Sequence, residues 1–598
     1  MKLILRFIRK REALLLLLAA IFSLMQTILS LLIPRIMGKV TTMLTTHSGT
    51  VSAITKSGLR MLLYAFLSMI VSIIVGILAA RISATVSKRM RSAIFHKVMA
   101  FSAEEIGAFS TASLITRCTN DVTMIEKLVF ASIRIVFITP IMGAVSVYMM
   151  LGSNGLWSGT TAVVLVIMAA VLMVLLNRIK PHVENVQSRT DTLNQVSREH
   201  LSGIKVIHAF NAYEHQRARA QTAVDSLNES LLAANRIKVA LLPFSTTMAS
   251  FLSILIYIIG AYLIYNAAGE ARIGLFSDMV TFSTYAALAT AAFAYMIILY
   301  ISGVQAVASL ERVQAVLDAE ITVTDPEDAE KPSAPEGTIE FRNVSFRYPG
   351  AAQEALKDIS FRVEKGQTVA IIGATGSGKT SLLNLIPRMY DCTRGEVLVD
   401  GVNVKKQRLR DLRNRIGYVP QRSLLFSGTI AENIDFGEGS GFKRTLRDIK
   451  RAAEIGQARE FIEHKEGGYQ GRVEQGGANF SGGQRQRLTI SRAICREPEI
   501  YLFDDSFSAL DFKTDRALRK QLRESAGDAT MLIVAQRIST IRNADKILVI
   551  DEGRLVGEGT HEALLRACPV YREIALSQLN EKEQEAVLRT SAQGGRQS

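Results

Sequence analysis

The first half of the chain contains six apolar segments, each long enough to cross a lipid bilayer. A helix needs about 20 predominantly apolar residues to span the hydrocarbon core, whereas buried helices of soluble domains are usually shorter and carry a polar stripe. The segments are residues 13–34, 61–80, two within 135–177 that are divided by a turn-rich stretch at 151–155, 239–269 and 279–310. This pattern predicts a six-helix membrane domain over residues 1–310, with its first segment retained as a helix and not removed as a signal peptide.

The positive charge is unevenly distributed among the connections between these segments. The N-terminus and the connections 81–134 and 178–238 together hold 22 Lys and Arg residues, against 5 in the other three connections. Basic residues collect on the cytoplasmic side of membrane helices, so both termini are predicted to be cytoplasmic in a multi-pass protein of the cell membrane. This distribution explains the formal net charge of +15 by contact with a lipid bilayer, which is the expected partner. No nucleic acid partner is expected.

The two long cytoplasmic connections, 81–134 and 178–238, contain almost no glycine or proline. Helices are therefore expected to continue well beyond the membrane before the chain turns. Residues 109–114 and 209–213 lie near the middle of each connection and mix aromatic with small polar side chains. They are predicted to dock onto a separate cytoplasmic domain, the alternative being that they are ordinary turns.

A change of composition after the last apolar segment marks a second domain. Residues 311–337 combine three prolines with acidic residues, which is typical of an exposed linker. Strands are predicted at 338–348, 360–363 and 368–372, and an α/β domain is expected over 338–575. The remaining residues, 576–598, form a polar tail to which no function is assigned.

The predicted strand 368–372 leads directly into a phosphate loop with the pattern GxxxxGK[ST] followed by serine. Its glycines let backbone N–H groups wrap phosphates, its lysine reaches the β and γ oxygens, and the hydroxyl after the lysine can ligate Mg²⁺ at a helix N-terminus. ATP and Mg²⁺ are therefore the expected cofactors. The predicted nucleotide-binding residues of this loop are Gly373, Ala374, Thr375, Gly376, Ser377, Gly378, Lys379, Thr380 and Ser381.

A second apolar strand, residues 500–505, ends in two carboxylates. Phosphate-loop ATPases hold Mg²⁺ and polarise the attacking water at such a strand end. Asp504 is the candidate metal ligand, together with Thr380, and Asp505 is the candidate catalytic carboxylate. Alone the pattern is weak, but it becomes strong beside the phosphate loop.

Four further motifs stand in a fixed order around these two: residues 418–421, the signature loop 479–484, residues 508–511 and the switch loop 534–537. In that order they resemble the ABC ATPases. Together with six spans and two long cytoplasmic connections, the chain resembles an ABC exporter half-transporter along essentially its whole length. The resemblance implies an α-helical six-span transmembrane domain plus an α/β P-loop ABC nucleotide-binding domain.

The resemblance also implies roles for individual residues. Tyr348 would stack on adenine, and Gln421 would contact Mg²⁺ and link it to the membrane domain. Four signature residues would cover the γ-phosphate of ATP held by a partner subunit: Ser481, Gly482, Gly483 and Gln484. Phe480 stands where leucine is commoner, a change expected to matter little, since the neighbouring helix N-terminus contacts the phosphate. A second half-transporter subunit is therefore the expected partner.

Two departures from the family pattern affect the catalytic site of this chain. Asp505 stands where active members usually have glutamate, and Gln536 stands where they usually have histidine. Aspartate is one methylene shorter, and glutamine cannot carry a proton or a positive charge. With Gln421, these residues form an ATP site predicted to be degenerate. The chain thus resembles the degenerate-site subunit of bacterial heterodimeric multidrug exporters, whose partner would carry glutamate and histidine.

Other functions remain open at this point. A homodimeric exporter with slow ATPase activity and an ATP-gated regulator or channel both fit, whereas a soluble ABC ATPase is excluded by the six spans. The spans contain no charged residue that would require a charged substrate. Amphipathic or hydrophobic substrates are therefore expected, and drugs, lipids and peptides all fit.

Overall fold

The computed structural model describes residues 2–46, 49–151, 155–269, 271–334, 336–437, 444–525 and 527–578. Residues 152–154 of the predicted turn at 151–155, Pro335 of the linker and nearly all of the predicted tail lie outside these residues. The chain forms two compact units. The membrane unit comprises Met1–Met99 and Thr111–Ala319, and the second unit comprises Ala100–Ser110 and the residues from Glu320 onward.

The membrane unit is built from long helices. Among the residues that the structure describes, six helical segments are long and apolar enough to cross a membrane, which confirms the predicted number of spans. The third segment contains a π-helical turn at Arg117–Asp121. The helices in chain order, including the short α4 of the second unit, are α1 Lys2–Arg6, α2 Lys10–Thr45, α3 Val51–Met99, α4 Ala103–Phe109, α5 Thr111–Thr116, α6 Val122–Leu151, α7 Gly155–Ala209, α8 Tyr213–Asn266 and α9 Ala271–Asp318.

The longest of these helices exceed the thickness of a bilayer. With a rise of 1.5 Å per residue, the 55 residues of α7 correspond to about 80 Å, whereas the hydrocarbon core is about 30 Å thick. These helices are therefore long enough to continue well beyond a membrane, as the prediction requires. Both predicted turn segments contain a break with positive φ, at Ser110 (59°) and at Asn211 (48°).

Aromatic side chains pack between helices of the membrane unit. Trp157 is fully buried and donates from Nε1 to the carbonyl oxygen of Ile256 at 3.2 Å. Its ring lies 5.6 Å from that of Phe282, and the Tyr285 hydroxyl donates to the carbonyl oxygen of Leu31 at 3.1 Å. Phe282 and Tyr285 thus tie neighbouring helices together.

A buried carboxylate joins the π-helical turn to α9. Asp121 is 3% exposed and accepts hydrogen bonds from Ser309 Oγ at 2.9 Å and Arg312 Nε at 2.8 Å. Pairing and hydrogen bonding offset the cost of burying this charge. Arg117 of the same turn donates to the carbonyl oxygen of Arg312 at 3.0 Å, so the cytoplasmic end of α9 is fixed to the third helical segment.

The described residues of the second unit form three sheets. A four-stranded antiparallel sheet has the order β2-β1-β4-β5, a six-stranded sheet has the order β12-β11-β3-β10-β9-β6, and β7 pairs with β8. In the six-stranded sheet all pairs are parallel except β11 with β12. The strands are β1 Ile339–Phe346, β2 Leu356–Val363, β3 Thr368–Ile372, β4 Arg394–Val399, β5 Val402–Asn403, β6 Ile416–Val419, β7 Gly428–Thr429, β8 Arg472–Val473, β9 Ile500–Asp504, β10 Thr530–Val534, β11 Lys546–Asp551 and β12 Arg554–Gly559.

Both faces of the six-stranded sheet are covered. Alternate residues of its central strands belong to two separate apolar clusters, as Ala370 and Val369 show. Burial on both faces explains why β3, β9 and β10 are continuous apolar runs. The helices of this unit are α10 Lys379–Leu385, α11 Leu409–Asn414, α12 Ile430–Ile434, α13 Leu446–Ile455, α14 Arg459–Glu463, α15 Gly482–Cys495, α16 Phe512–Ser525, α17 Ile538–Ile541, α18 His561–Ala567 and α19 Pro569–Leu576.

Candidate active site

Three predicted motifs meet at one edge of the six-stranded sheet. Strands β3, β10 and β9 are adjacent and parallel, so their carboxyl ends lie together. The phosphate loop follows β3, the switch loop spans the end of β10, and Asp504 ends β9. The topology therefore brings the phosphate loop together with residues that lie more than a hundred positions further along the chain.

The glycines of the phosphate loop are required by close backbone approach and by conformation. A Cβ on Gly373 would lie 2.0 Å from the carbonyl oxygen of Ile550, and one on Gly378 would lie 2.6 Å from that of Ala355. Gly376 and Gly378 have φ of 84° and 103°, which side chains disfavour. The loop therefore needs glycine at these positions to adopt its wrapped backbone, the conformation that a phosphate cradle requires.

Lys379 begins α10 and its side chain turns back over the loop. Its Nζ donates to the carbonyl oxygens of Gly373 at 3.0 Å and Ala374 at 2.7 Å. The side chain is buried, and burial lowers the pKa of Lys379, an effect that Asp505 and Asp504 partly oppose. A buried ammonium beside the loop is a strong attractor for phosphate oxygens.

Thr380 and Asp504 are held together in the position expected for a metal site. Thr380 Oγ1 donates to Asp504 Oδ1 at 3.0 Å, and Asp504 is 2% exposed. Burial raises the pKa of Asp504, while the bond from Thr380 lowers it. A hydroxyl and a carboxylate are hard oxygen donors, and Mg²⁺ commonly takes one or two protein ligands plus substrate phosphates. The residues thus fit Mg²⁺ bound together with ATP.

Asp505 and Gln536, the two residues that depart from the family pattern, contact each other. Gln536 Nε2 donates to Asp505 Oδ2 at 3.0 Å, and Asp505 adopts a positive φ of 46°. Burial raises the pKa of Asp505, which hydrogen bonding from Ser508 and Gln421 counteracts. The predicted catalytic carboxylate is therefore bound by neighbouring side chains of its own chain.

Tyr348 lies against the helix that follows the phosphate loop. Its hydroxyl and Ser381 Oγ are 2.8 Å apart, and its ring packs edge-on against Phe346 and Tyr390. This places an aromatic side chain beside α10. Stacking on adenine stays a prediction.

The signature loop forms a helix start that faces outward. Ser481 Oγ accepts from the N–H of Gln484 at 3.3 Å, and Gln484 Oε1 accepts from the N–H of Ser481 at 3.0 Å, a reciprocal capping box. Ser481 and Gly482 are exposed. Phe480 is buried under Lys465, whose Nζ lies 4.5 Å from the ring centroid, so the unusual residue serves packing. In the described part of the chain no hydrogen bond joins residues 481–484 to the phosphate loop.

Sequence reasoning missed a contact between the first cytoplasmic connection and the linker. Glu105 of α4 is 5% exposed. Its carboxylate accepts from the N–H and hydroxyl of Thr322 at 2.9 and 2.8 Å and from the N–H of Ser102 at 2.6 Å. The Ser-x-x-Glu spacing at 102–105 indicates a helix start, but no sequence pattern points to Thr322.

A second missed residue is Gln578, which follows α19. Its side chain bonds the backbone of Gln536 and Ile538. Arg537, between them, donates from its guanidinium to the carbonyl oxygen of Ser508 at 3.5 Å. Residues of two other segments, Gln578 and Ser508, thus contact the switch loop.

A phosphate loop, a buried carboxylate at the neighbouring strand end and six membrane helices together define an ATP-hydrolysing membrane transporter. Comparison with known proteins agrees. Residues 356–508 match the family described as ABC transporter, and residues 16–304 match the ABC transporter transmembrane region.

Relatives extend this match over most of the chain. An uncharacterised ABC transporter ATP-binding protein of Mycobacterium tuberculosis (strain ATCC 25618 / H37Rv) is 37% identical over 497 residues, covering 82% of this chain and 83% of that protein. The ATP-dependent lipid A-core flippase of Pseudomonas aeruginosa is 31% identical over 496 residues, covering 82% and 80%. A bacterial Atm1-family ABC exporter with ATP bound shares the fold, with a TM-score of 0.82 at 23% identity over 96% of this chain and 99% of that one.

The chain therefore belongs to the ABC transporter family. It is an exporter half-transporter with one transmembrane region and one ATP-binding domain. Its enzymatic activity is ATP hydrolysis coupled to transport, with ATP and Mg²⁺ as cofactors. It is a multi-pass membrane protein with a cytoplasmic ATPase domain.

Proposed function

We propose that this chain is one subunit of a heterodimeric exporter in the cytoplasmic membrane, and that it binds ATP in its own site but hydrolyses it slowly. The observation that carries the proposal is the hydrogen bond from Gln536 to Asp505. A carboxylate engaged by a neighbouring amide is a poor base for orienting water. Misplacement of a catalytic group by about 1 Å can cost on the order of a hundredfold in rate.

Gln536 adds a second weakness to the same site. Its amide donates and accepts hydrogen bonds but cannot take up a proton or carry a positive charge. The phosphate loop, Lys379 and the Thr380–Asp504 pair are intact. Nucleotide binding is therefore expected to be retained while ATP turnover is slow.

The signature loop supports a role in the site of another subunit. A Cβ on Gly482 would meet nothing within 4 Å in this chain, so packing within the subunit does not require glycine there. Free N–H groups at a helix start favour an anion. We infer that Ser481, Gly482, Gly483 and Gln484 complete a competent ATP site on a partner that carries glutamate and histidine at the catalytic positions.

The tip of the second cytoplasmic connection also supports a second subunit. Phe210 is 80% exposed and Tyr213 is 58% exposed, on either side of the break between α7 and α8. Two large exposed aromatic side chains at a helix tip favour an interaction surface. We propose that they dock onto the ATP-binding domain of the partner.

A cavity in the membrane unit supports an amphipathic or hydrophobic substrate. It has a volume of about 720 Å³ and is lined by apolar side chains of α6, α7 and α9, among them Val147, Leu165 and Phe293, with Thr139 as a polar contributor. A pocket of this size accommodates a drug-sized or acyl-chain ligand. Drugs, lipids and hydrophobic peptides remain the candidate classes, and the similarity to lipid A-core flippases adds weight to lipids.

The proposal is tested by ATPase measurements in lipid nanodiscs on this chain alone and with a candidate partner half-transporter that carries glutamate and histidine. Activity should require the partner, survive Asp505→Asn in this chain and be lost on Ser481→Arg, which blocks the signature loop. Lys379→Ala should abolish nucleotide binding to this chain's site and serves as the binding control. Robust turnover by this chain alone that Asp505→Asn abolishes would establish the homodimer instead.

Nucleotide-dependent conductance without substrate movement would point to the regulator or channel. This outcome is measured by reconstituting the same complexes into planar bilayers and, in parallel, into vesicles loaded with a fluorescent amphiphile. An exporter should move the amphiphile in an ATP-dependent manner and pass no steady current.

A further inference from the structure

Gln578 bridges two backbone groups of the switch loop region. Its Oε1 accepts from the N–H of Ile538 at 2.8 Å, and its Nε2 donates to the carbonyl oxygen of Gln536 at 2.7 Å. One primary amide thus binds a carbonyl at one residue and an N–H two residues further on. A residue of a parallel neighbouring strand makes the same two bonds, to the residues on either side of its partner. The residue between the two bonded groups, Arg537, has extended φ and ψ of −102° and 126°.

The helix that precedes Gln578 is itself firmly anchored. Tyr571 and Ala575 of α19 are fully buried, and the Tyr571 hydroxyl lies 2.7 Å from Nδ1 of His561. The N–H of Gln578 donates to the carbonyl oxygen of Ala575 at 3.2 Å, so its backbone is fixed to the helix end, and a side chain on a fixed backbone loses less entropy when it forms directed hydrogen bonds. Gln578 therefore extends the rigidity of α19 to the switch loop.

The other side of the switch loop faces the ATP site. Gln536 uses its side chain to contact Asp505 and its backbone to contact Gln578. A shift of the backbone at this residue would move its side-chain amide away from the catalytic carboxylate. The position of Gln536 is consequently set by the segment that follows α19.

We propose that Gln578 is a positioning residue for the ATP site, which fixes the switch loop so that Gln536 reaches Asp505 and the γ-phosphate. Gln578 touches neither the nucleotide loop nor the metal pair among the described contacts, and it acts through Gln536. The proposal rests on ATP binding by this chain and holds whether the partner is a second copy or a different subunit.

The test is hydrogen exchange in the full-length transporter in nanodiscs, resolved to the Ile538 amide. Gln578→Ala should speed exchange of this amide about fivefold to tenfold, the factor expected for one net hydrogen bond. Gln578→Glu keeps an acceptor for the N–H of Ile538 but loses the donor to the carbonyl oxygen of Gln536. In this variant the Ile538 amide should therefore exchange faster than in the unchanged protein and more slowly than in Gln578→Ala. Ser577→Ala is the matched control, since the Ser577 hydroxyl bonds only within its own helix.

A second readout separates positioning from a merely structural role. With each variant we would measure the release rate of a fluorescent ATP analogue from this chain's site and the melting temperature. Gln578→Ala should release the analogue several-fold faster than Ser577→Ala at an unchanged melting temperature, with partial rescue by Gln578→Glu. Identical amide exchange and analogue release in Gln578→Ala and Ser577→Ala would overturn the proposal. A fall in the melting temperature of Gln578→Ala that is large enough to explain its faster exchange and release would overturn it as well.

These results are distinguishable from a failure of the proposed heterodimer. Exchange at Ile538 and release of the analogue are properties of this chain's own site and do not require it to hydrolyse ATP. If the transporter is a homodimer and the Gln578 variants show the expected exchange and release, only the heterodimer proposal is refuted.

Discussion

Glu105 should control how tightly the first cytoplasmic connection is held to the linker before the ATP-binding domain. Its carboxylate receives three hydrogen bonds, two from Thr322 and one from the N–H of Ser102. Glu105→Ala removes all three and leaves the N–H of Thr322 without its acceptor. Glu105→Gln keeps a carbonyl oxygen for Thr322 but removes the charge.

The magnitude follows from these contacts. Hydrogen bonds to a charged group contribute about 1.5–3 kcal/mol each, and an unsatisfied buried donor costs about 1–3 kcal/mol. Because the bonds share one carboxylate, they do not add fully. We expect Glu105→Ala to destabilise the contact by about 3–4 kcal/mol and Glu105→Gln by about 1–2 kcal/mol, since charge-assisted bonds are roughly twice as strong as neutral ones.

The assay is hydrogen exchange at the Thr322 amide in the full-length protein. At about 1.4 kcal/mol per tenfold, exchange should rise on the order of tenfold in Glu105→Gln and at least about a hundredfold in Glu105→Ala. Glu104→Gln is the control, since only the backbone N–H of Glu104 joins the capping box. Exchange in Glu105→Ala equal to that in Glu104→Gln would refute the reasoning.

The pH dependence of the same contact has a defined sign. Burial alone would raise the pKa of Glu105, but hydrogen bonds from Ser102 and Thr322 outweigh it, and the pKa is lowered from its usual 4.5. A carboxyl group with a depressed folded pKa stabilises fully above its unfolded pKa and loses that contribution as pH falls through the folded value. Protection of the Thr322 amide should therefore be constant near neutral pH and decline only below about pH 4.5.

Three further predictions concern the ATP site. Gly373→Ala should abolish ATP binding and lower the melting temperature, because its Cβ would lie 2.0 Å from a backbone carbonyl oxygen, whereas Gly482→Ala, which has open space, should leave the melting temperature unchanged. ATP affinity should weaken with rising pH before the usual lysine pKa of 10.5 is reached, because burial lowers the pKa of Lys379. Binding titrations in which the affinity stays unchanged up to pH 10.5 would contradict this. Asp505→Glu combined with Gln536→His should raise ATP turnover by this chain on the order of a hundredfold, while either change alone should recover only a small part in a steady-state phosphate-release assay.

Elements defined by continuous local patterns were predictable from the sequence. Strand β3 was predicted at 368–372 with the observed bounds, because a strand buried on both faces is an unbroken apolar run. The number of membrane helices followed from segment length in the same way. Strand β2 was predicted only from 360, yet it begins at Leu356, because Asp358 has a positive φ of 54° and disturbs the alternation.

Contacts between distant residues were not predictable. Glu105 and Thr322 are 217 positions apart, and Gln578 lies 42 positions from Gln536. Gln578 bonds backbone groups only, and Glu105 bonds both the backbone N–H and the hydroxyl of Thr322, so the sequence shows no pair of opposite charges that would mark either contact. The family resemblance identified Gln536 as a switch residue, but only the fold shows what holds it.

The two unusual catalytic residues are best understood as one arrangement. Asp505 is short, and its Oδ2 accepts the amide of Gln536, while Gln578 fixes the backbone of Gln536 from the opposite side. Lengthening Asp505 alone would leave the amide donor in place and the carboxylate still engaged. Replacing Gln536 alone would free a carboxylate that is one methylene too short to reach the water. Because each substitution removes only one of two obstacles, their effects on turnover should be strongly non-additive, as expected for residues in direct contact.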